Sequence, residues 1–183
     1  MSQRLALLSI VLYLATGSAS VAEGRHEACD SAQLPEGVRA TLESHFAQWR
    51  YETTSDLNDY YRDGWMKSSP TKCPGMVVGH INDAKVLSYA FLLLPRQGKA
   101  EKFKLIVIKR AEKGGYVVDE VASYESQYHY SVISKAGPKQ YKDQEKDTRI
   151  TLVLDGIIVE ELGAGASLYY WRGGKYKEIL ISE

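Results

Sequence analysis

The spacing of apolar residues changes several times along the chain. Leu5 to Ala15 is an almost unbroken apolar run behind a single charge, Arg4, and ends in Ser20-Val21-Ala22. That order of charge, apolar core and small residues is the pattern of a cleavable secretory signal peptide over residues 1–22. The run is too short for a bilayer span, which needs about 20 apolar residues. After Pro35, Val38, Leu42, His45/Phe46 and Trp49 recur every three to four positions. This predicts a helix with proline in its first turn. Thr54-Ser55-Asp56 supplies N-cap oxygens for a second helix, whose stripe is Leu57, Tyr60/Tyr61 and Trp65 and whose end is Ser68-Ser69-Pro70.

From Lys72 onward the period shortens to that of strands. Met76-Val77-Val78 is a short one. Val86 to Leu94 is apolar nearly throughout, which predicts a central strand buried on both faces. Pro95 to Lys99 turns the chain, and residues 103–108 form the next strand. Lys113-Gly114-Gly115 is a hairpin turn, with Tyr116 to Val121 returning. Tyr124, Ser126, Tyr128 and Tyr130 then share one strand face. Residues 134–147 are polar and contain Gly137-Pro138, so a mobile surface loop is expected there. Ile150, Leu152 and Leu154 alternate with polar residues, Asp155-Gly156 turns into Ile157-Ile158-Val159, and residues 168–181 form a last hairpin. Helices followed by hairpins predict an α+β fold: two N-terminal helices packed on an antiparallel β-sheet built of hairpins.

Removing the signal leaves residues 23–183, one exported domain with enough length for a core. The chain has 23 basic and 23 acidic residues, and Arg4 is the only charge in the leader, so the exported part carries −1. That balance lacks the basic footprint of a nucleic-acid binder. Cys29 and Cys73 both lie in the exported part. In an oxidising compartment they read first as one disulfide, against the rival of two free thiols.

Three stretches resemble bacterial exported proteins related to single FG-GAP/VCBS-type repeats. They are Trp49 to Trp65; Cys73-Pro74-Gly75-Met76-Val77-Val78-Gly79 leading to Tyr89-Ala90-Phe91-Leu92-Leu93; and Asp155-Gly156-Ile157-Ile158 with Leu168 to Tyr176. The likeness implies an exported compartment and an architecture more than an activity. In that family the loop after Cys-Pro-Gly carries alternate acidic residues like a calcium loop. Here His80 and Ser88 stand at aspartate positions, Ala84 offers no ligand, Lys85 adds a positive charge, and only Asn82 remains, with Asp83 one place out of phase. Calcium needs six to eight hard oxygens, so no bound calcium and no other cofactor are expected.

Candidate chemistry is thin. His26, His45, His80 and His129 form no metal-binding spacing. There is no G-x-S-x-G elbow, and Gly163-Ala164-Gly165-Ala166-Ser167 lacks the lysine of a phosphate loop. Asp119-Glu120 and Glu160-Glu161 are adjacent pairs, which point to opposite faces of a strand. The unusual quantity is tyrosine, thirteen in all, a residue enriched at interfaces. Tyr124, Tyr128 and Tyr130, with Lys135, Lys139 and Lys142 and the loop residues His80 and Asn82, are therefore the expected contacts. The expected function is non-enzymatic: a periplasmic or secreted domain that binds another exported protein, as an inhibitor or immunity protein does. The alternative is a hydrolase or carbohydrate-acting enzyme with Glu120, His129, Asp155 and Glu160 drawn together from several strands.

Overall fold

The computed structural model describes residues 29–69, 72–97, 102–125 and 130–182. The predicted signal segment lies outside them, as do Tyr128 and His129. Among the described residues no helix is long and apolar enough to cross a membrane.

Helix α1 (Glu36–His45) starts after Pro35, and α2 (Asp59–Ser68) starts after Asn58, whose side chain accepts a hydrogen bond from the Tyr61 N–H. The predicted cap of the second helix instead forms its own 3-10 turn at Thr54–Asp56. Asp56 closes that turn by accepting from the Thr53 N–H at 2.9 Å and holds Arg50 with both oxygens, at 2.5 and 2.6 Å.

Strands β1 (Trp49–Tyr51), β2 (Met76–Gly79), β3 (Ser88–Pro95), β4 (Lys102–Arg110) and β5 (Tyr116–Glu125) make a first antiparallel sheet, with β1 and β2 sharing one edge of β3. A second sheet runs β11 (Lys175–Ser182), β10 (Gly165–Arg172), β9 (Gly156–Glu161), β6 (Ser131–Ala136). Strands β7 (Gln140–Asp143) and β8 (Thr148–Thr151) pair as a two-stranded ribbon.

This corrects the predicted architecture. Strand takes 48% and helix 18% of the described residues, so the chain is mostly β, with three antiparallel sheets where one was expected. Nor do the two helices form a layer over a single sheet. The reason lies in the side chains that β3 and β4 bury. Ala90, Leu92, Leu94, Phe103, Leu105 and Val107 join Ile133, Ile157, Val159 and Tyr169 of the second sheet in one cluster. The alternate residues Phe91, Leu93, Ile106 and Ile108 form another cluster with Leu34 and Val38. A strand apolar on both faces needs two covers, and the inner one is a second sheet. Helix α2 joins neither cluster; its Trp65 packs with Leu57 and Val132. The central-strand expectation holds for Ala90 to Leu94, at most 3% exposed, but not for its predicted start, since Val86 and Leu87 precede β3 and are 37% and 45% exposed.

The expected mobile loop at 134–147 is the second correction. Its first residues belong to β6, and β7 with its partner β8 lies over the outer face of the second sheet. There Tyr141, Ile150 and Leu152 pack with Leu168, Tyr170 and Ile179.

The sandwich is joined at one corner by Cys73-Pro74-Gly75. Cys73 is disulfide-bonded to Cys29, with Cα atoms 4.8 Å apart. The Pro74 carbonyl accepts the Ile133 N–H of β6 at 2.7 Å, and the Gly75 carbonyl accepts the Leu92 N–H of β3 at 3.0 Å. One tripeptide thus touches both sheets. A Cβ at residue 75 would lie 2.3 Å from the Glu52 carbonyl oxygen, so only glycine permits this approach.

Candidate functional site

The loop between β2 and β3, the stretch with the degenerate ligand pattern, is tied to the second sheet. The His80 N–H donates to Asp155 Oδ2 at 2.8 Å, and the Asp155 N–H donates to the His80 carbonyl at 3.0 Å. Asn82 and the Tyr176 hydroxyl exchange hydrogen bonds at 2.8 and 3.1 Å. Ile81 between them is fully buried. Burial drives the Tyr176 hydroxyl well above the usual tyrosine range, so it stays protonated and able to donate. Asn82 therefore spends its side-chain amide, and His80 its backbone N–H and carbonyl, across the two sheets, while the His80 Nδ1 is buried with no hydrogen-bond partner among the described residues. Among the described residues no cluster of His, Cys, Asp or Glu is arranged to hold a metal ion.

The other expected residues fall in different places. Tyr124 belongs to β5 and Tyr130 lies just before β6. Lys135 is on β6, Lys139 lies 5.0 Å from the Tyr141 ring centre, and Lys142 on β7 pairs with Asp147 at 2.7 Å. The carboxylates of the hydrolase alternative are likewise apart. Glu120 sits on the first sheet and pairs with Lys104 at 2.7 Å. Asp155 and Glu160 flank opposite ends of β9, five residues and so about 16 Å apart along a strand. The groove that Glu160 lines contains neither Glu120 nor Asp155.

One groove does gather several of the predicted residues. It has a volume of about 640 Å³ and runs between α2 and the β6–β9 edge, with Lys135 and Glu160 on one wall and Tyr60, Tyr61 and Lys72 on the other. Tyr130 completes an aromatic row. The Tyr61 and Tyr130 rings are 5.2 Å apart and tilted by 49°, and Tyr60 meets Tyr61 edge-on at 5.3 Å. These are favourable aromatic geometries. Tyr60, at the outer end, is 81% exposed. The backbone holds the row: the Leu162 N–H donates to the Tyr130 carbonyl at 2.8 Å. Gly163, at φ +88°, leaves the space that the Tyr61 hydroxyl fills, since a Cβ there would stand 2.8 Å from it. The Gly-rich stretch is thus a turn on which Tyr61 rests. Sequence reading missed Tyr60 and Tyr61 because a helical stripe is ordinarily core, and here Tyr60 falls outside it.

A buried group also escaped the sequence reading. Glu52 follows β1 and is 0% exposed, and neither carboxylate oxygen has a hydrogen-bond partner among the described residues. Burial first, and then the nearby Asp56 charge, pushes its carboxyl up to about 9, with Arg50 pulling the other way. At neutral pH it is a neutral acid inside the fold. Nothing in Tyr51-Glu52-Thr53 signals this, because the residues against its backbone, Gly75 and Leu92, are distant in sequence.

Compared with protein-family models, curated proteins and solved structures, the chain matches none.

Proposed function

We propose that this chain is an exported, non-enzymatic protein-binding domain that contacts its partner through the groove between α2 and the β6–β9 edge. The observation that carries this reading is the aromatic row Tyr60, Tyr61, Tyr130, ending in a largely exposed ring that lines the same groove as Lys135. Tyrosine gives large, rigid contact area with a polar tip, and it is enriched where proteins meet. A ring left 81% exposed at the end of such a row adds nothing to the chain's own core. The groove walls also bring Lys67, Lys72 and Lys135 against Asp63 and Glu160, a polar rim around an aromatic centre. The Cys29–Cys73 disulfide and the signal-like leader support an oxidising compartment, the periplasm or the exterior. An inhibitor or immunity role is the form of binding this size of domain suits.

The test is to express residues 23–183 with an affinity tag in the export compartment, crosslink, and identify what co-purifies by mass spectrometry. One stoichiometric protein is expected, lost with Tyr60→Ala and Lys135→Glu and retained with Lys142→Glu, whose site lies on the ribbon. Capture that survives both groove substitutions moves the interface elsewhere. Capture of nothing above background removes the reading.

A further inference from the structure

A second depression lies on the other side of the molecule, under α1. It is a cavity of about 270 Å³ between the helix and the β1 edge of the first sheet. Its walls are apolar and aromatic: Leu42 from α1, Phe46 just after it, Trp49 and Tyr51 from β1, and Leu93 from β3. Its rim carries Arg39 and Arg96. Neither guanidinium has an ion pair or side-chain hydrogen bond among the described residues. The nearby Arg50 is different, since Asp56 holds it in a two-pronged pair at 2.5 and 2.6 Å. Glu43 is the acid on the rim, so two unpaired cations face one anion.

We infer that this cavity binds a compact aromatic carboxylate, with the ring among Phe46, Trp49 and Tyr51 and the carboxylate between Arg39 and Arg96. Guanidinium is planar and matches a carboxylate with paired N–H donors. The aromatic walls suit a flat ring, whose edge or face they can meet. The volume lies below the roughly 300–1,000 Å³ of drug-sized sites, which fits one ring and a short acid arm and leaves no room for a long acyl chain. Two sources share this chemistry: a free aryl acid, and the C-terminal aromatic residue of a peptide. The site is independent of the tyrosine groove, and its test does not require the partner that groove would bind.

The experiment titrates the exported domain with phenylacetate, with N-acetylphenylalanine as the peptide-end mimic, and with phenylacetamide as the neutral control. Amide shifts by NMR and Trp49 emission, compared with a Trp49→Phe variant, report occupancy. Saturable shifts are expected in α1 and β1, and Arg39→Gln or Arg96→Gln should weaken binding by about tenfold, as loss of one charge-assisted contact implies. Phenylacetamide should bind weaker by a similar factor. Arg96 is exposed, so its variant keeps the fold even if the Arg39 variant does not. Tighter binding of N-acetylphenylalanine assigns the site to a peptide end; tighter binding of phenylacetate assigns it to a free acid. The inference is overturned by absence of saturable shifts in α1 and β1. It is equally overturned by amide and acid binding alike, or by wild-type affinity in both arginine variants.

Discussion

The two outer faces of the sandwich are covered by different devices. Helix α1 covers the first sheet, and the β7–β8 ribbon covers the second. A cylinder laid on a twisted sheet touches along one stripe, Val38 with Leu42 and Phe46, and leaves a cavity beside β1. A ribbon follows the sheet beneath it, and its Tyr141, Ile150 and Leu152 seat on Leu168, Tyr170 and Ile179. The attachments differ too. The helical cover is held by the covalent Cys29–Cys73 link and by the Tyr51 hydroxyl donating to the Cys29 carbonyl at 2.6 Å. The ribbon is held by packing and by hydrogen bonds such as the Gln144 N–H to the Leu180 carbonyl at 2.8 Å. The same contrast appears in two buried acids. Asp143 of the ribbon accepts the Glu145 and Lys146 N–H groups at 3.2 and 3.3 Å. Glu52 beside β1 has no such donors. A turn carries spare N–H groups that can face a carboxylate, whereas beside Glu52 its own N–H is spent on the Leu92 carbonyl and the Leu92 N–H on the Gly75 carbonyl.

The sharpest way to test this contrast is pH. The folded-state pKa of Glu52, about 9, is raised above that of an exposed glutamate. Its favourable contribution is therefore complete below the unfolded value, near 4.3, and is lost as pH rises through about 9. The loss amounts to about 1.4 kcal/mol for each pH unit of that window. Urea unfolding followed across it should show this decline in the wild type and a much flatter profile in Glu52→Gln. Parallel profiles would mean that Glu52 finds a donor in solution and that the two acids are alike.

Next in size is the covalent tie. The Cys29→Ser/Cys73→Ser double variant opens a loop of 44 residues and should lose about 3–4 kcal/mol in chemical denaturation. Hydrogen exchange should speed up in α1 more than in β7–β8. Equal acceleration in both covers would show that the sandwich behaves as one unit, with no independent cover. The smallest effect probes the ribbon. Leu152→Ala removes a nearly buried side chain from its seat and should cost about 2–3 kcal/mol, at the low end for such truncations. The matching exchange increase belongs in β7–β8, with α1 unchanged. No change in stability would return residues 134–147 to the surface loop their polarity suggests.

The legibility of these regions in the sequence follows the same division. Helix α1 shows because Val38, Leu42 and Phe46 repeat at helical spacing over ten residues. Strand β3 shows because an apolar run of that length fits few other roles. The ribbon hides because its strands are four residues each and its few apolar side chains stand among lysines. Of the contacts chosen from sequence, Lys135 lines the tyrosine groove and Tyr130 packs against Tyr61 of its wall, while Lys139 and Lys142 go to the ribbon and the His80–Asn82 loop joins the sheets. Residue type identified groups able to make contacts, but type alone says nothing of which partner each will meet.

Local chemistry in the sequence determined the helices, the hairpin turns and the doubly buried centre of the first sheet, and it made a disulfide the first reading of the two cysteines. Each depends on neighbours within a few residues or, for the cysteines, on there being two of them. The tertiary structure alone decided that the hairpins divide into two facing sheets, that Tyr60 stands clear of the core, that two arginines rim an aromatic cavity, and that Glu52 is sealed without a donor. Those outcomes depend on contacts between residues far apart in the chain, such as Glu52 with Gly75 and Tyr61 with Gly163. Periodicity assigns a side chain to a face and leaves open what that face will meet.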